Sequence, residues 1–279
     1  MTTSLPDTAP RLIISDIDGT FITSAGRVTP RLRNVVSRAI SSGAHFGLAT
    51  GRPHRWLIPV LEQLPVAPVC VCANGAVVYD PTEDRVLHAH ELSPDTMGEI
   101  LHDVERALAG VYHGYGVERV GSSALDPEDE CFLITPEYNP DAWDSRFGVV
   151  DKQTLIEVPA AKLLVRCTDM TSAEMYDIIA PLIDDTTAHV TYSMDEGLIE
   201  VSCPGVNKAS SVALLAERYG VDAADVIAFG DMRNDLEMLT WAGRGIAMGN
   251  ASPVLTSAAD EVADTNDNDG VAKILERWF

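Results

Sequence analysis

The sequence predicts an α/β protein, a doubly wound parallel-sheet core into which an α+β segment is inserted. Three observations carry that reading. Short apolar runs, such as Leu12 to Ile14 and Val226 to Phe229, alternate with helical stripes near both ends of the chain. A strand apolar at consecutive positions is one covered by helices on both faces. The connections between these runs are short, as repeated βα units require. Between about Glu83 and Pro204 strand and helix patterns mix without that order, which marks a separate insertion. The expected boundaries are residues 1–82 and 205–279 for the two parts of the core and 83–204 for the inserted domain.

The opening unit is RLIISDIDGT, Arg11 to Thr20, an apolar strand that stops at Asp16, Asp18 and Gly19. Leu32, Val35, Val36, Ala39 and Ile40 fall at helical spacing, with Thr29 as N-cap before Pro30 and Gly43 beyond the end. HFGLATGR, residues 45 to 52, is a second strand ending in Thr50, Gly51 and Arg52, and Pro53 suits the first turn of a following helix. The run Pro68 to Ala73 ends in Asn74 and Gly75, with Ala76 to Tyr79 as the return arm of a hairpin.

Within the insertion, RVLHAHEL reads as an alternating strand, and Met97, Ile100, Leu101, Val104 and Leu108 form a helical stripe. Residues 110 to 160 carry no assignable pattern. KLLVRC at 162 to 167 is strand-like, Met175 to Ile183 helical, and VTYSM and LIEVSC straddle Asp195, Glu196 and Gly197 as a hairpin. The βα order returns with Val212, Leu215, Ala216 and Tyr219 on one helix face behind Lys208. DVIAFGD, residues 225 to 231, is a strand ending in Gly230 and Asp231, and a helix carries Leu236, Met238 and Leu239. RGIAMGN, EVADT and a closing helix from Val271 to Trp278 complete the chain.

The 279 residues, 46% of them hydrophobic, suffice for two domains and a sizeable core. A net charge of -22 argues against nucleic acid or anionic membrane as a partner, since both need a basic patch. The surplus acid is a solvated surface, and a phosphorylated ligand must be drawn in by metal and local Lys or Arg. MTTSLPDTAPR lacks a charged start followed by an apolar core, so no secretion signal is expected. No apolar run approaches the ~20 residues of a membrane span, and the expected location is the cytoplasm. Cys70, Cys72, Cys131, Cys167 and Cys203 are odd in number and scattered, the pattern of reduced thiols.

Asp16 and Asp18 sit where the chain leaves its first strand. Carboxylates this close repel, and are tolerable together only with a cation, a shared proton or open water. Taken alone, the pair fits two accounts equally. One is a solvated turn. The other is a phosphoryl-transfer pair with a hard divalent cation, in which one carboxylate attacks phosphorus and the other moves a proton. A calcium loop starting at Asp16 fails because Phe21 and Arg27 stand where Gly and Glu are required. The strands of a parallel sheet end along one edge, so Asp16, Thr50 and Asp231 are expected to converge there. Asp231 then supplies the further carboxylate a metal needs, Thr50 a hydroxyl for a phosphate oxygen, and Lys208 a point charge to neutralise it. Asn234 and Asp235, at a helix start, also fit a simple capping pair. Each residue has a bland explanation singly; jointly the bland account needs several coincidences.

These stretches resemble the haloacid dehalogenase superfamily, and within it the Cof-type phosphatases with a large α+β cap. DIDGT at Asp16 to Thr20 is similar to the first motif, LATGR with Thr50 to the second, Lys208 to the third and GDMRND at Gly230 to Asp235 to the fourth. CANGA around Asn74, MGNA at Met248 to Ala251 and TNDNDGVA from Thr265 are supporting signatures. The resemblance implies a Rossmann-like core, Asp16 as nucleophile and Asp18 as general acid and then base. It implies Mg²⁺ held by the Asp16 carboxylate, the Asp18 backbone carbonyl and Asp231, with Asp235 direct or through water. Thr50, Gly51 and Lys208, together with Asn234, would grip the phosphoryl oxygens. Thr20 is the version typical of phosphatases. Ala209 departs from the Gly that relatives often carry after the motif lysine, at a helix start where Ala is acceptable.

The implied activity is Mg²⁺-dependent hydrolysis of a small phosphorylated metabolite, such as a sugar phosphate, through an aspartyl-phosphate. The protein is expected to be a monomer or small homo-oligomer with no nucleic-acid or membrane partner, its cap closing over the site and reading the leaving group. Two alternatives stand beside it: a phosphotransferase or mutase, and a non-catalytic metabolite-binding module, against which the intact acid set argues. Other candidates are weaker. Thr265 to Glu276 nearly spells a calcium loop but has Thr at its first ligand position. His88 and His90 share a strand face without a third ligand nearby. Tyr112, His113, Tyr115 and Arg119 lie in the cap, where substrate contacts are expected, and His54 and Arg55 follow the second motif.

Overall fold

The computed structural model describes residues 8–138 and 146–279. Most of the stretch read for a secretion signal, residues 1–7, and part of the unassigned stretch, residues 139–145, lie outside the described residues. In chain order the strands are β1 (Leu12–Ser15), β2 (His45–Ala49), β3 (Cys70–Cys72), β4 (Val77–Asp80), β5 (Arg85–Ala89), β6 (Gly114–Glu118) and β7 (Phe132–Ile134). They continue with β8 (Gly148–Val149), β9 (Lys162–Arg166), β10 (His189–Thr191), β11 (Leu198–Ser202), β12 (Val226–Gly230), β13 (Arg244–Ala247) and β14 (Glu261–Val262). The principal helices are α1 (Pro30–Ser41), α2 (Pro94–Ala107), α3 (Ser172–Ile179), α4 (Lys208–Tyr219), α5 (Leu236–Trp241), α6 (Pro253–Ala258) and α7 (Gly270–Leu275). The chain divides into two compact units. One holds the residues up to Thr50, Ile58–Cys70 and Lys208–Phe279; the other holds Gly51–Leu57 and Val71–Asn207.

In the first unit the strands run β14-β13-β12-β1-β2, every pair parallel. From β1 the chain winds outward to β2; on its return it enters at β12, beside β1, and winds the other way to β13 and β14. The point where the winding reverses therefore lies between β1 and β12, the place where an open α/β sheet forms a crevice beyond its strand ends. Leu12, Ile13, Ile14, Ile227, Ala228 and Phe229 are fully buried although neighbours in a strand face opposite sides, so both sheet faces are covered. Helix α1 packs on α7, and α4 on α5. Each fully buried aliphatic side chain here contributes about 1.5–3 kcal/mol. Helix α1 starts as its sequence indicates: the Thr29 hydroxyl accepts from the Leu32 amide at 3.1 Å ahead of Pro30. The closing helix stops at Leu275, short of the expected Trp278. Its tail is tied down by side chains instead, with Arg277 on Glu261 and Trp278 under Arg244.

In the second unit β4 pairs antiparallel with β5. A six-stranded sheet runs β10-β11-β9-β6-β7-β8, antiparallel except for β7 with β8. The expected hairpin around Asp195 to Gly197 is β10 and β11. One sheet face carries Tyr115, Val117, Leu163, Val165, Ile199 and Val201, packed in one apolar cluster with Met97, Ile100, Leu101 and Val104 of α2 and Met175 and Ile179 of α3. Helix α3 begins at Thr171 in a reciprocal cap with Glu174. The patternless stretch contains β6, β7 and β8. These strands are two to five residues long and include two glycines in β6, too short and too weakly apolar for a period-2 signal.

Candidate active site

Strand β1 delivers Asp16 and β12 delivers Asp231 to the reversal point. The Asp16 amide still bonds the Phe229 carbonyl at 2.9 Å, so the sheet ladder holds its backbone in place. The chain then turns through Gly19, whose φ is +72°. A Cβ there would stand 2.2 Å from Asp231 Oδ2, so only glycine lets the two strand ends approach. Gly230 is needed for space alone: its Cβ would meet the Asp235 Cβ at 2.5 Å.

Asp16, Asp231 and Asp235 are buried, with one carboxylate oxygen from each lying within 4.8 Å of the others. Lys208, fully buried at the start of α4, joins two of them, its Nζ donating to Asp16 Oδ1 and Asp235 Oδ1 at 2.6 Å each. The other oxygen of Asp235 accepts the amides of Asp231 and Met232 at 3.0 and 3.1 Å. The Thr20 hydroxyl donates to Asp231 Oδ1 at 3.3 Å. Three carboxylates thus face one ammonium. Burial, with repulsion from Asp235 and Asp18, pushes the Asp16 carboxyl up to about 7 against the pull of Lys208. Burial, then Asp16 and Asp235, pushes Asp231 to about 9 against Lys208 and Thr20. Burial alone would lower the Lys208 pKa; Asp16 and Asp235 outweigh it and raise it. Buried carboxylates that resist ionisation together are short of positive charge. The group suits a hard divalent cation, because its three converging side chains all offer carboxylate oxygens.

The other expected residues are placed as follows. Asp18 is exposed beside Asp16, near enough to repel its charge. Thr50 is buried at the end of β2, and Asn234 is buried next to Asp235. Gly51 belongs to the second unit. Two residues quoted only as parts of signature runs have a definite place. Asn250 donates to the Gly19 carbonyl at 2.8 Å and accepts the Asn266 amide at 3.1 Å, while the Asn266 side chain donates to the Ile22 carbonyl at 2.9 Å. Together they brace the turn that carries Asp18.

Several of the weaker candidates are placed as follows. Asp267 accepts from Ser24, Asp269 from Thr29, and Glu276 pairs with Arg31, so the near-calcium loop disperses its acids among separate partners. His88 and His90 face each other, Nε2 to Nε2 at 2.8 Å, and no third metal-ligating side chain joins them among the described residues. Tyr115 is sunk in the apolar cluster of the second unit, its hydroxyl on His113. All five cysteines are free thiols. No helix among the described residues is long and apolar enough to cross a membrane.

The family model described as haloacid dehalogenase-like hydrolase matches residues 13–275. The chain belongs to that family. Within it the chain is a phosphatase of the Cof type. The phosphatase YitU of Bacillus subtilis, named for 5-amino-6-(5-phospho-D-ribitylamino)uracil, is 30% identical over 98% of this chain and 99% of its own length. An HMP-PP phosphatase of Cronobacter sakazakii is 27% identical over 96% of each chain. Among solved structures, a haloacid dehalogenase-like hydrolase from B. subtilis superposes with a TM-score of 0.78 at 25% identity, covering 96% of this chain and all of that one. The acid cluster and its lysine therefore lie in a chain of a family that includes named phosphatases.

Proposed function

We propose that this phosphatase hydrolyses the phosphomonoester of a small metabolite through an aspartyl-phosphate on Asp16, with Mg²⁺ as its metal. The observation that carries the reading is Lys208 bridging Asp16 and Asp235, with Asp231 alongside, where β1 and β12 end. A carboxylate oxygen of Asp16 attacks phosphorus and the ester P–O bond breaks. Asp18, exposed and beside Asp16, gives its proton to the departing oxygen. Asp18 then takes a proton from water, whose oxygen attacks the same phosphorus, and the Asp16–P bond breaks to release inorganic phosphate. Lys208, Thr50, Gly51 and Asn234 hold the phosphoryl oxygens as charge develops on them. Mg²⁺ would be held by the carboxylates of Asp16 and Asp231 and the Asp18 carbonyl, with Asp235 direct or through water, and would offset the phosphoryl charge. The segment 83–204 acts as the cap that reads the leaving group.

The phosphorylated ribityl chain in the name of the B. subtilis relative's substrate favours a sugar or sugar-alcohol phosphate as the substrate class. The protein works in the cytoplasm as a monomer or small homo-oligomer, with neither nucleic acid nor membrane as partner; the acidic charge of the chain supports the last point alone. The test is turnover of p-nitrophenyl phosphate with and without Mg²⁺. Asp16→Asn and metal chelation each abolish it while the far-UV spectrum is kept. Full activity in either case would exclude the mechanism, and a phosphorylated acceptor in place of free phosphate would make the protein a transferase.

A further inference from the structure

The second unit buries a group of charges that the chemistry above does not use. Alternation along KLLVR puts Lys162, Leu164 and Arg166 of β9 on the sheet face opposite the helix-covered core. The strand register sets Glu118 beside Lys162, Glu200 beside Leu164, and Arg166 between Gly114 and Leu198. Two cations on this face have a carboxylate, although Arg55 Nε and Nη1, unlike its Nη2, have no hydrogen-bond partner among the described residues. Lys162 Nζ donates to Glu200 at 2.5 Å and to the Gly51 carbonyl at 2.7 Å, and Arg55 is ion-paired with Glu118.

Arg166 is not matched. It is 6% exposed, and its Nε and Nη1 reach neither solvent nor a hydrogen-bond partner among the described residues. The hydroxyl of Tyr138, a residue 1% exposed, is in the same condition. Both border Gly114: Arg166 is its strand neighbour, and a Cβ on it would lie 2.1 Å from the Tyr138 amide nitrogen. A Cβ on Gly116 would touch the Tyr138 ring at 3.2 Å, so the two glycines make the room that Tyr138 occupies. Phe132 extends this face with edge contacts to Tyr138, Trp56 and Phe147. Buried donors normally have partners. A guanidinium with spare donors, in a group of three cations and two carboxylates, is suited to an acceptor oxygen on a ligand.

We propose that this face binds an oxygen acceptor carried by the substrate's leaving group, a carboxylate or a ring carbonyl, held by the Arg166 guanidinium and the Tyr138 hydroxyl beside Phe132. The proposal rests on reading the chain as a phosphatase whose cap senses the leaving group, and adds which side chains do so. Two matched pairs of phosphate esters test it. 6-Phosphogluconate with sorbitol 6-phosphate isolates a carboxylate. 5-Amino-6-(5-phospho-D-ribitylamino)uracil with ribitol 5-phosphate isolates a carbonyl-bearing ring.

Binding is measured by calorimetry on the full chain carrying Asp16→Asn, alone and combined with Arg166→Met, Arg166→Lys or Tyr138→Phe, so that turnover is not needed. In one pair the acceptor-bearing ester binds at least about tenfold tighter than its mate. Arg166→Met removes that preference, Arg166→Lys keeps part of it, and Tyr138→Phe lowers it by about threefold. The responding pair identifies the acceptor. General damage to the fold weakens both members alike and leaves their ratio unchanged, and if Arg166→Met does not fold, the other two variants give the same readout. A within-pair ratio indifferent to all three substitutions, or no binding of any of the four esters, overturns the proposal. Failure of the native protein to release phosphate from any ester would sink the phosphatase reading instead, and the binding ratio would still decide this one.

Discussion

The two units bury opposite kinds of unbalanced charge. In the first, three carboxylates share one ammonium; in the second, Glu118 and Glu200 pair with Arg55 and Lys162 and leave Arg166 without a carboxylate among the described residues. A buried charge is tolerated when it is paired, so the surplus on each side indicates what each unit lacks. The acidic surplus is compatible with a cation, and the basic surplus with an acceptor oxygen. The lysines differ in the same way. Lys208 bridges two acids at a place where a metal would add further positive charge. Lys162 closes a structural pair that Asn74 and Ser193 also satisfy through Glu200.

Substituting the two lysines gives the largest effect and breaks the comparison if it is wrong. Without Mg²⁺, Lys208→Met and Lys162→Met should each cost about 3–5 kcal/mol in urea unfolding, because each strands buried carboxylates. With millimolar Mg²⁺ the Lys208→Met loss should shrink and the Lys162→Met loss should not. Equal recovery, or none in either variant, would show that the acidic group is not a metal site. Next in size is the native protein's response to metal. Mg²⁺ at about a hundred times its Kd should stabilise the chain by about 2.7 kcal/mol, and Asp231→Asn should abolish most of that shift in a thermal melt.

Asn250→Ala sharpens the comparison on a finer scale. It removes the side chain that holds the Gly19 carbonyl, so stability should fall by about 1 kcal/mol, while kcat on p-nitrophenyl phosphate drops more than KM changes. The smallest effect lies in the second unit. Hydrogen bonds from Ser123, Tyr79 and the Ala124 amide hold the Asp84 carboxyl down to about 2 from its ordinary 3.8. Its folded value is the lower one, so its contribution to stability is complete above the ordinary value and is lost as the pH falls through 2. A carboxyl titration by NMR with a midpoint near 3.8 would contradict the hydrogen bonding.

The two units were also unequally legible. The first announces most of its chemistry in contiguous words: DIDGT follows a strand end, and LATGR, whose last two residues fall in the second unit, and GDMRND each contain one with the polar residues after it. A parallel sheet brings such ends together whatever their separation in the chain. Apart from CANGA around Asn74 and the end of LATGR, the second unit does not work that way. Its charged face is spelled one residue in two, across β6, β9 and β11, with Tyr138 in a connection. KLLVR and LIEVS did carry a signal, since a charge at alternate positions of an apolar strand marks one face. Which face was buried, and whether those charges had partners, depended on strand order. Tyr115, chosen by position, lies on the helix-covered face, one residue out of phase with Gly114 and Gly116.

By itself the sequence determined the βα units, the strand ends where acids accumulate and the family, because short-range pattern and contiguous motifs are properties of the chain alone. Only the tertiary structure decided that Lys208 ties Asp16 to Asp235, that Asn250 and Asn266 brace the turn, and that Arg166 and Tyr138 are buried with donors to spare. Those facts depend on burial and on distances between residues remote in sequence, which a linear pattern does not encode.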